Sequence, residues 1–160
     1  MPTVKAGVQA PDFTLPDLTG RPQALSALLA SGDVLIAFFK VSCPTCQYTF
    51  PFLERLHKQS EARRLRVYGI SQDDRQKSAK FAQQFGVSFP ILLDGEEEDY
   101  PVSNAYGITH VPSLFLIDPG GRIVLTSVGF CKADLEEMAQ RGGTLPLFHR
   151  DEKIEAFRAG

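Results

Sequence analysis

Val34-Leu35-Ile36-Ala37-Phe38-Phe39-Lys40-Val41-Ser42-Cys43-Pro44-Thr45-Cys46-Gln47 is the stretch on which the rest of the chain is organised. Its first six residues are apolar without alternation, the pattern of a central strand covered on both faces. Four residues after Phe39 come two cysteines three apart. They open a helical pattern reaching about residue 59, with Phe50, Leu53 and Leu56 at core spacing, Phe52 nearby and Pro51 inside it. Cys43 falls at the N-cap and Pro44 at the first helical position, where a missing N–H costs nothing.

Two cysteines at i and i+3 in a first helical turn lie within disulfide reach. A disulfide closing so small a loop removes little entropy from the unfolded chain, so it stabilises poorly and its use is to be made and broken. The thiolate is the nucleophile, and the free N–H groups of a helix N-terminus favour the anion. Cys43 is therefore expected to be the exposed attacking thiol and Cys46 the buried resolving one, with Lys40 adding positive charge for thiolate stabilisation. Two other readings compete. A zinc site needs about four ligands, and Cys131, His57, His110 and His149 supply no second close pair. A pair of inert, buried cysteines is the other. No metal is expected.

The chain has 160 residues, 43% hydrophobic and 22% charged. These values suit a single globular domain over residues 1–160, with a full-sized core. A net charge of −2 argues against nucleic acid or anionic membrane as main partner. No apolar run approaches a membrane span, and residues 1–7 carry no apolar signal core. The expectation is a cytoplasmic protein, where dithiols are kept reduced and a disulfide is catalytic or transient. Three cysteines, an odd number, make no structural framework.

Residues 10–20 read as a strand and turn, and 21–25 as the return of a small hairpin. Ser26 is expected to cap a short helix over 27–30. Residues 65–70 form the next strand, parallel to 34–39 through a right-handed crossover. Asp73 or Asp74 caps a helix ending at Gly86, and residues 91–93 approach another strand. The acidic run Asp94-Gly95-Glu96-Glu97-Glu98-Asp99 reads as a solvated loop instead of a cation site. A short helix over 101–106 leads to strands at 114–117 and 123–128, antiparallel about the turn Asp118-Pro119-Gly120-Gly121. His57 reads as a surface histidine. A last helix spans 133–141, with Cys131 and Asp134 resembling a capping box. Residues 144–160 form a tail with a helix expected over 151–158.

Four motifs carry a family resemblance over about residues 8–142: Ala10-Pro11-Asp12-Phe13-Thr14-Leu15; Cys43-Pro44-Thr45-Cys46 with Pro51; Phe89-Pro90-Ile91-Leu92-Leu93-Asp94; and the run from Tyr106-Gly107-Ile108 through His110-Val111-Pro112 to Ile117-Asp118. The chain resembles the redoxins, the alkyl-hydroperoxide-reductase/thiol-specific-antioxidant superfamily and related thioredoxin-like oxidoreductases. The resemblance implies an α/β thioredoxin-like fold, a central mixed β-sheet flanked by helices, with an N-terminal β-hairpin extension. It makes Val111-Pro112 the cis-proline loop against the dithiol. Val111 and Pro112, with Pro44 and Thr45, are then the expected substrate-binding residues, because backbone there can pair with an extended segment. His110 is a candidate for proton transfer.

The sequence departs from the family at three places. Ser42 stands where tryptophan usually precedes the first cysteine. Ala37 and Thr49 stand at the positions of the acids that help deprotonate the second. Asp73, His110, Lys40 or water are the candidates to replace them.

The expected activity is a thiol–disulfide oxidoreductase, acting as a disulfide reductase on a protein or small-molecule disulfide. It needs no cofactor beyond the Cys43–Cys46 redox disulfide and draws electrons from a thioredoxin-reductase system or a small thiol. This implies a role in redox homeostasis and antioxidant defence. The alternative is a thiol peroxidase, with Cys43 peroxidatic, Cys46 or Cys131 resolving, and Arg122 stabilising thiolate and peroxide. Against it, Lys40 occupies the position of the expected threonine. A redox-switched binding module is a third reading. Cys131 is either an accessory thiol or a capping residue.

Overall fold

The computed structural model describes residues 3–60, 64–143 and 146–160. Its centre is β3 (Asp33–Phe39). Residues Val34 to Phe39 of this strand are completely buried, as an unbroken apolar run requires when both faces of a sheet are covered. Alternate residues point to opposite sides. Leu35, Ala37 and Phe39 enter one core with Phe50, Leu53 and Leu56 of α2 (Pro44–Gln59) and with Leu135 and Met138 of α5 (Lys132–Gly142). Val34, Ile36 and Phe38 enter the other, with Phe13, Leu15, Leu25 and Tyr106.

Before β3 come β1 (Thr14–Pro16), β2 (Pro22–Ala24) and α1 (Leu25–Leu28). After α2 come β4 (Leu65–Ser71), α3 (Arg75–Gln84), β5 (Ile91–Leu93), α4 (Pro101–Ala105), β6 (Ser113–Ile117), β7 (Ile123–Val128) and β8 (Phe130–Cys131). Following α5 there is a last short strand, β9 (Phe157–Arg158). The five-stranded sheet has the order β5-β4-β3-β6-β7. β3, β4 and β5 are parallel, β6 runs antiparallel to β3, and β7 runs antiparallel to β6. β1 and β2 form the expected N-terminal hairpin, and β8 and β9 a third, two-stranded sheet. The fold is the mixed, helix-flanked thioredoxin-like sheet.

Several local expectations are corrected. α1 begins at Leu25 with Ala24 at its N-cap, so Ser26 lies inside the helix. Asp74, not Asp73, caps α3, accepting from the Lys77 N–H at 2.8 Å. The acidic run does not lie wholly in solvent. Asp94 is completely buried because its carboxylate accepts from the N–H groups of Val102 and Ser103 and from the Ser103 hydroxyl, satisfying the N-terminal donors of α4. His57 is half-buried, its Nδ1 accepting from Val67 N–H at 3.1 Å. Cys131 occupies the N-cap of α5, but its thiol caps nothing. Asp134 instead accepts from the Ser127 hydroxyl at 2.6 Å, so no capping box forms.

The tail expectation is corrected too, with Thr144 and Leu145 outside the described residues, as are Met1 and Pro2 of the N-terminal reading. Residues 151–158 contain no helix. Phe157 and Arg158 pair instead with Cys131 and Phe130, and Glu152 is held by two hydrogen bonds from Arg55 of α2, at 2.7 and 2.6 Å. Leu147 and Phe148 join the core. Tertiary partners, not helical propensity, set this segment's course. Among the described residues no helix is long and apolar enough to cross a membrane.

Candidate active site

The parallel pairing of β3 with β4 puts Phe39 beside Ser71, and the loops after the two strands therefore meet. Val41 N–H donates to Asp73 Oδ2 at 2.8 Å, and Gln72 N–H donates to the Phe39 carbonyl at 3.1 Å. Gln47, in the first turns of α2, reaches back through Nε2 to the Val41 carbonyl at 3.0 Å. The turn carrying the cysteines is thus fixed from below and from both sides.

Cys43 is the N-cap of α2, with extended backbone at φ −80° and ψ 114°, and Pro44 is the first helical residue. The Cys46 N–H donates to Cys43 Sγ at 3.1 Å. A cap sulfur thus takes the place of the usual hydroxyl or carboxylate, and the donor that fixes it is one that stabilises its anion. Cys43 is half-buried, whereas Cys46 is 0% exposed. Burial pushes the Cys46 thiol well up. Its hydrogen bond with Cys43 and the charges of Cys43 and Asp73 act in the same direction, and the backbone of Lys40 acts in the opposite one. The two thiols are therefore unlike: one is reachable and capped by an N–H, the other is dry and holds its proton.

The Val111–Pro112 peptide is cis, and the Val111 carbonyl accepts from Cys43 Sγ at 3.4 Å. The loop expected to face the dithiol does so. Gly129 N–H donates to the Pro112 carbonyl at 2.8 Å, linking this loop to the end of β7. Thr45, in the dithiol turn, donates through its hydroxyl to the Ala159 carbonyl at 2.7 Å. Pro44, Thr45, Val111 and Pro112 thus come together around Cys43.

The remaining candidates divide. Lys40 has an exposed side chain, and it is its backbone that reaches Cys46. His110 is exposed, and its ring is bonded to the Thr109 hydroxyl at 3.0 Å. Asp73 is a candidate acid whose charge reaches Cys46; the family positions Ala37 and Thr49 are buried, and the Thr49 hydroxyl donates to the Thr45 carbonyl. Arg122 lies beyond Ile117, which pairs with Val34 at the opposite end of β3 from Cys43. Its guanidinium donates to the Gly7 carbonyl. It is not part of the dithiol site, a correction to the peroxidase reading. Cys131 is half-buried in β8, paired with Phe157. Among the described residues no three His, Cys, Asp or Glu side chains gather as a metal site.

Sequence reasoning missed two contributors, Gly129 and residues 155–160. Tyr48 OH accepts from Glu155 N–H at 3.4 Å, and the Arg158 guanidinium stacks 4.6 Å over the Tyr48 ring. The apolar residues Leu147, Phe148, Ile154 and Phe157 signalled only that the segment returns to the body of the protein, not which partner it meets there.

Fold and site together define a thioredoxin-like protein with a Cys-x-x-Cys turn against a cis-proline loop. Residues 6–126 match the AhpC/TSA family, and the chain belongs to it. It is 31% identical over 136 residues to the thiol-disulfide oxidoreductase ResA of Geobacillus thermodenitrificans, covering 84% of this chain and 76% of that one. Among solved structures it is similar to the peroxidoxin BcpB of Mycobacterium tuberculosis, with 27% identity and a TM-score of 0.75 over 89% of this chain and 98% of that one. The thioredoxin domain of a thiol-disulfide oxidoreductase from Bacteroides vulgatus shares the fold, with a TM-score of 0.77 at 24% identity, over 87% of this chain and 98% of that one.

Proposed function

We propose that this chain is a thiol–disulfide oxidoreductase acting as a disulfide reductase. One observation carries the reading: Cys43 Sγ accepts the Cys46 N–H at 3.1 Å while Cys46 itself is fully buried behind it. The Cys43 thiolate attacks one sulfur of a substrate disulfide. A Cys43–substrate bond forms, the substrate S–S bond breaks, and the departing sulfur leaves as thiolate and takes a proton from solvent. Cys46 then loses its proton and attacks Cys43 Sγ. The Cys43–Cys46 bond forms, and the second substrate sulfur leaves as a thiol. The substrate gains two electrons and two protons, and the chain is left oxidised. A dithiol donor or two small thiols reduce it again.

The Cys46 proton is held by burial, so the second step needs an acceptor. Asp73 and water are the groups proposed for it, with Lys40 and His110 as lesser candidates for proton transfer. Val111, Pro112, Pro44 and Thr45 are proposed to bind substrate. Electrons are carried by the dithiol alone, without metal or organic cofactor. We also place the protein in the cytoplasm, because an odd thiol such as Cys131 stays free in a reducing compartment; cell fractionation with redox-state trapping tests this.

The peroxidase reading comes second, favoured by the likeness to the peroxidoxin and weakened by the position of Arg122. Its antioxidant role goes with it. Turnover of a protein disulfide with a thiol donor, measured against loss of thiols to hydrogen peroxide, separates the two. Disulfide turnover abolished by Cys43→Ser, with peroxide reacting no faster than with a free small thiol, is the expected result. Rapid peroxide reaction without disulfide turnover would replace the reductase by the peroxidase.

A further inference from the structure

The groove beside Cys43 is already occupied by the protein's own chain. β9 adds to β8, with Phe130 opposite Arg158 and Cys131 opposite Phe157, and Lys132 N–H donates to the Ala156 carbonyl at 3.0 Å. The next residue, Ala159, gives its carbonyl to the Thr45 hydroxyl in the dithiol turn. Gly160 then lies against the cis-proline loop, so closely that a Cβ built on it would stand 2.5 Å from the Val111 carbonyl oxygen and 3.5 Å from His110 Cβ. From the other side, a Cβ on Gly129 would stand 2.5 Å from the Arg158 carbonyl oxygen and 3.1 Å from Gly160 N. Gly129 also has a φ of +79°, which side-chain-bearing residues rarely adopt. The absence of side chains at both glycines is what lets the segment lie this deep.

The segment is well anchored upstream and weakly held where it crosses the groove. Leu147 and Phe148 are in the core, and Arg55 pairs with Glu152. Beyond them, Arg158 has Tyr48 beneath it and Glu155 at 3.3 Å beside it. Phe157, by contrast, is 59% exposed, and Ala159 and Gly160 are exposed. Such an arrangement can open locally over residues 157–160 without disturbing the core.

We propose that residues 157–160 are a built-in occupant of the substrate groove, lying where an extended polypeptide would lie, and that they compete with polypeptide disulfides for Cys43 while leaving small disulfides free to react. The substrate class this fits is a disulfide borne on an extended chain, which takes over the path along Thr45, Gly129 and Val111 by strand addition. The inference rests on the reading that Cys43 attacks disulfides. A substrate that must wait for the open form binds with an affinity lowered by the open fraction. A small disulfide that needs no groove does not.

The test measures single-turnover attack by Cys43, in a Cys46→Ser, Cys131→Ser background so that one thiol reacts. One reagent is a nonapeptide whose central cysteine carries a thionitrobenzoate disulfide, and the other is dithiobis(nitrobenzoate) itself. Release of thionitrobenzoate is followed by absorbance. Removing residues 159–160 should speed the peptide reaction about fivefold, from an open fraction near one fifth, with less than a twofold change for the small reagent. Gly160→Ala, which places a methyl against the Val111 carbonyl at full chain length, should act in the same direction, and circular dichroism shows that both variants are folded. A peptide-to-small-reagent ratio that stays the same in both variants overturns the proposal. Catalytic reductase turnover is scored separately on the unaltered protein. Its absence alongside a shifted ratio would sink the reductase reading and leave the occupied groove standing.

Discussion

The turn carrying Cys43 and the segment 146–160 lie against each other, yet they reach that position by opposite routes. The turn is built locally. An apolar strand, a loop, a cap cysteine and a proline at the first helical position each specify the next, and Asp73 then fixes the turn through the Val41 N–H. The segment is placed by distant partners: Arg55 for Glu152, Tyr48 for Arg158, Phe130 and Cys131 for β9, and Thr45 for Ala159. Chemistry that must be exact to a fraction of an ångström sits on the locally determined, rigid part. The covering part is held by side-chain contacts and a two-residue strand pairing that can be exchanged for others.

If the comparison is right, the largest effect comes from the turn. Cys43→Ser should reduce disulfide turnover by at least about a thousandfold, as loss of a nucleophile does. Thermal stability should hardly change, since a serine hydroxyl can accept the Cys46 N–H as the sulfur does. A large loss of melting temperature in this variant would show that the turn is not locally determined.

The seam between the two regions gives the next effect. Phe130 is completely buried and meets the rings of Tyr48, Phe52 and Phe148 at centroid distances of 4.9, 5.8 and 6.3 Å. Phe130→Ala should cost about 3–5 kcal/mol in denaturant unfolding. A cost near zero would mean that the seam is not packed as described.

What was legible in the sequence follows the same division. The strand at 34–39, the N-cap at Cys43 and the proline at the first helical position could all be read because each rests on a local pattern, whereas the loop at Val111-Pro112 was legible through the family resemblance. Asp94 could not. In a run of acids its neighbours argue for solvent, and only folding brings the α4 N–H groups and the Ser103 hydroxyl to it. Asp134 was lost to Ser127 for the same reason, and His57 to Val67. Nothing in residues 151–158 announced that β8 would supply their hydrogen-bond partner in place of a helix.

A smaller, pH-dependent effect sharpens the comparison further. Hydrogen bonds from Arg55, and then the His149 N–H, hold the Glu152 carboxyl at about 2, below the usual 4.5. A group depressed on folding contributes stability above its unfolded pKa and loses it as pH falls through the folded value. Docking of 146–160 should therefore weaken between about pH 4.5 and 2. Amide protection factors of this segment, corrected for intrinsic exchange at each pH, should fall over that window in the wild type and stay level in Glu152→Gln. The β1–β2 hairpin should behave likewise from 3.8 to about 2. There Asp17 is lowered first by the Thr19 hydroxyl, with Gln23 and the Thr19 and Arg21 backbones adding to it. An Asp17→Asn variant without this response would confirm the assignment; a segment indifferent to acid in the wild type would contradict the Arg55–Glu152 anchor.

The smallest effect is a single hydrogen bond. Thr45→Val should destabilise the protein by about 1 kcal/mol or less, and show itself mainly as faster amide exchange of residues 157–160.

The most direct test of the division between the thiols is to trap the intermediate. Reduced Cys46→Ser and Cys43→Ser proteins, each also carrying Cys131→Ser, are mixed with a disulfide-bonded protein and read by intact mass after acid quench. The Cys46→Ser protein should accumulate a stoichiometric mixed disulfide through Cys43, and the Cys43→Ser protein none, because Cys46 is buried and holds its proton. A mixed disulfide forming equally well through Cys46 would contradict the roles assigned here.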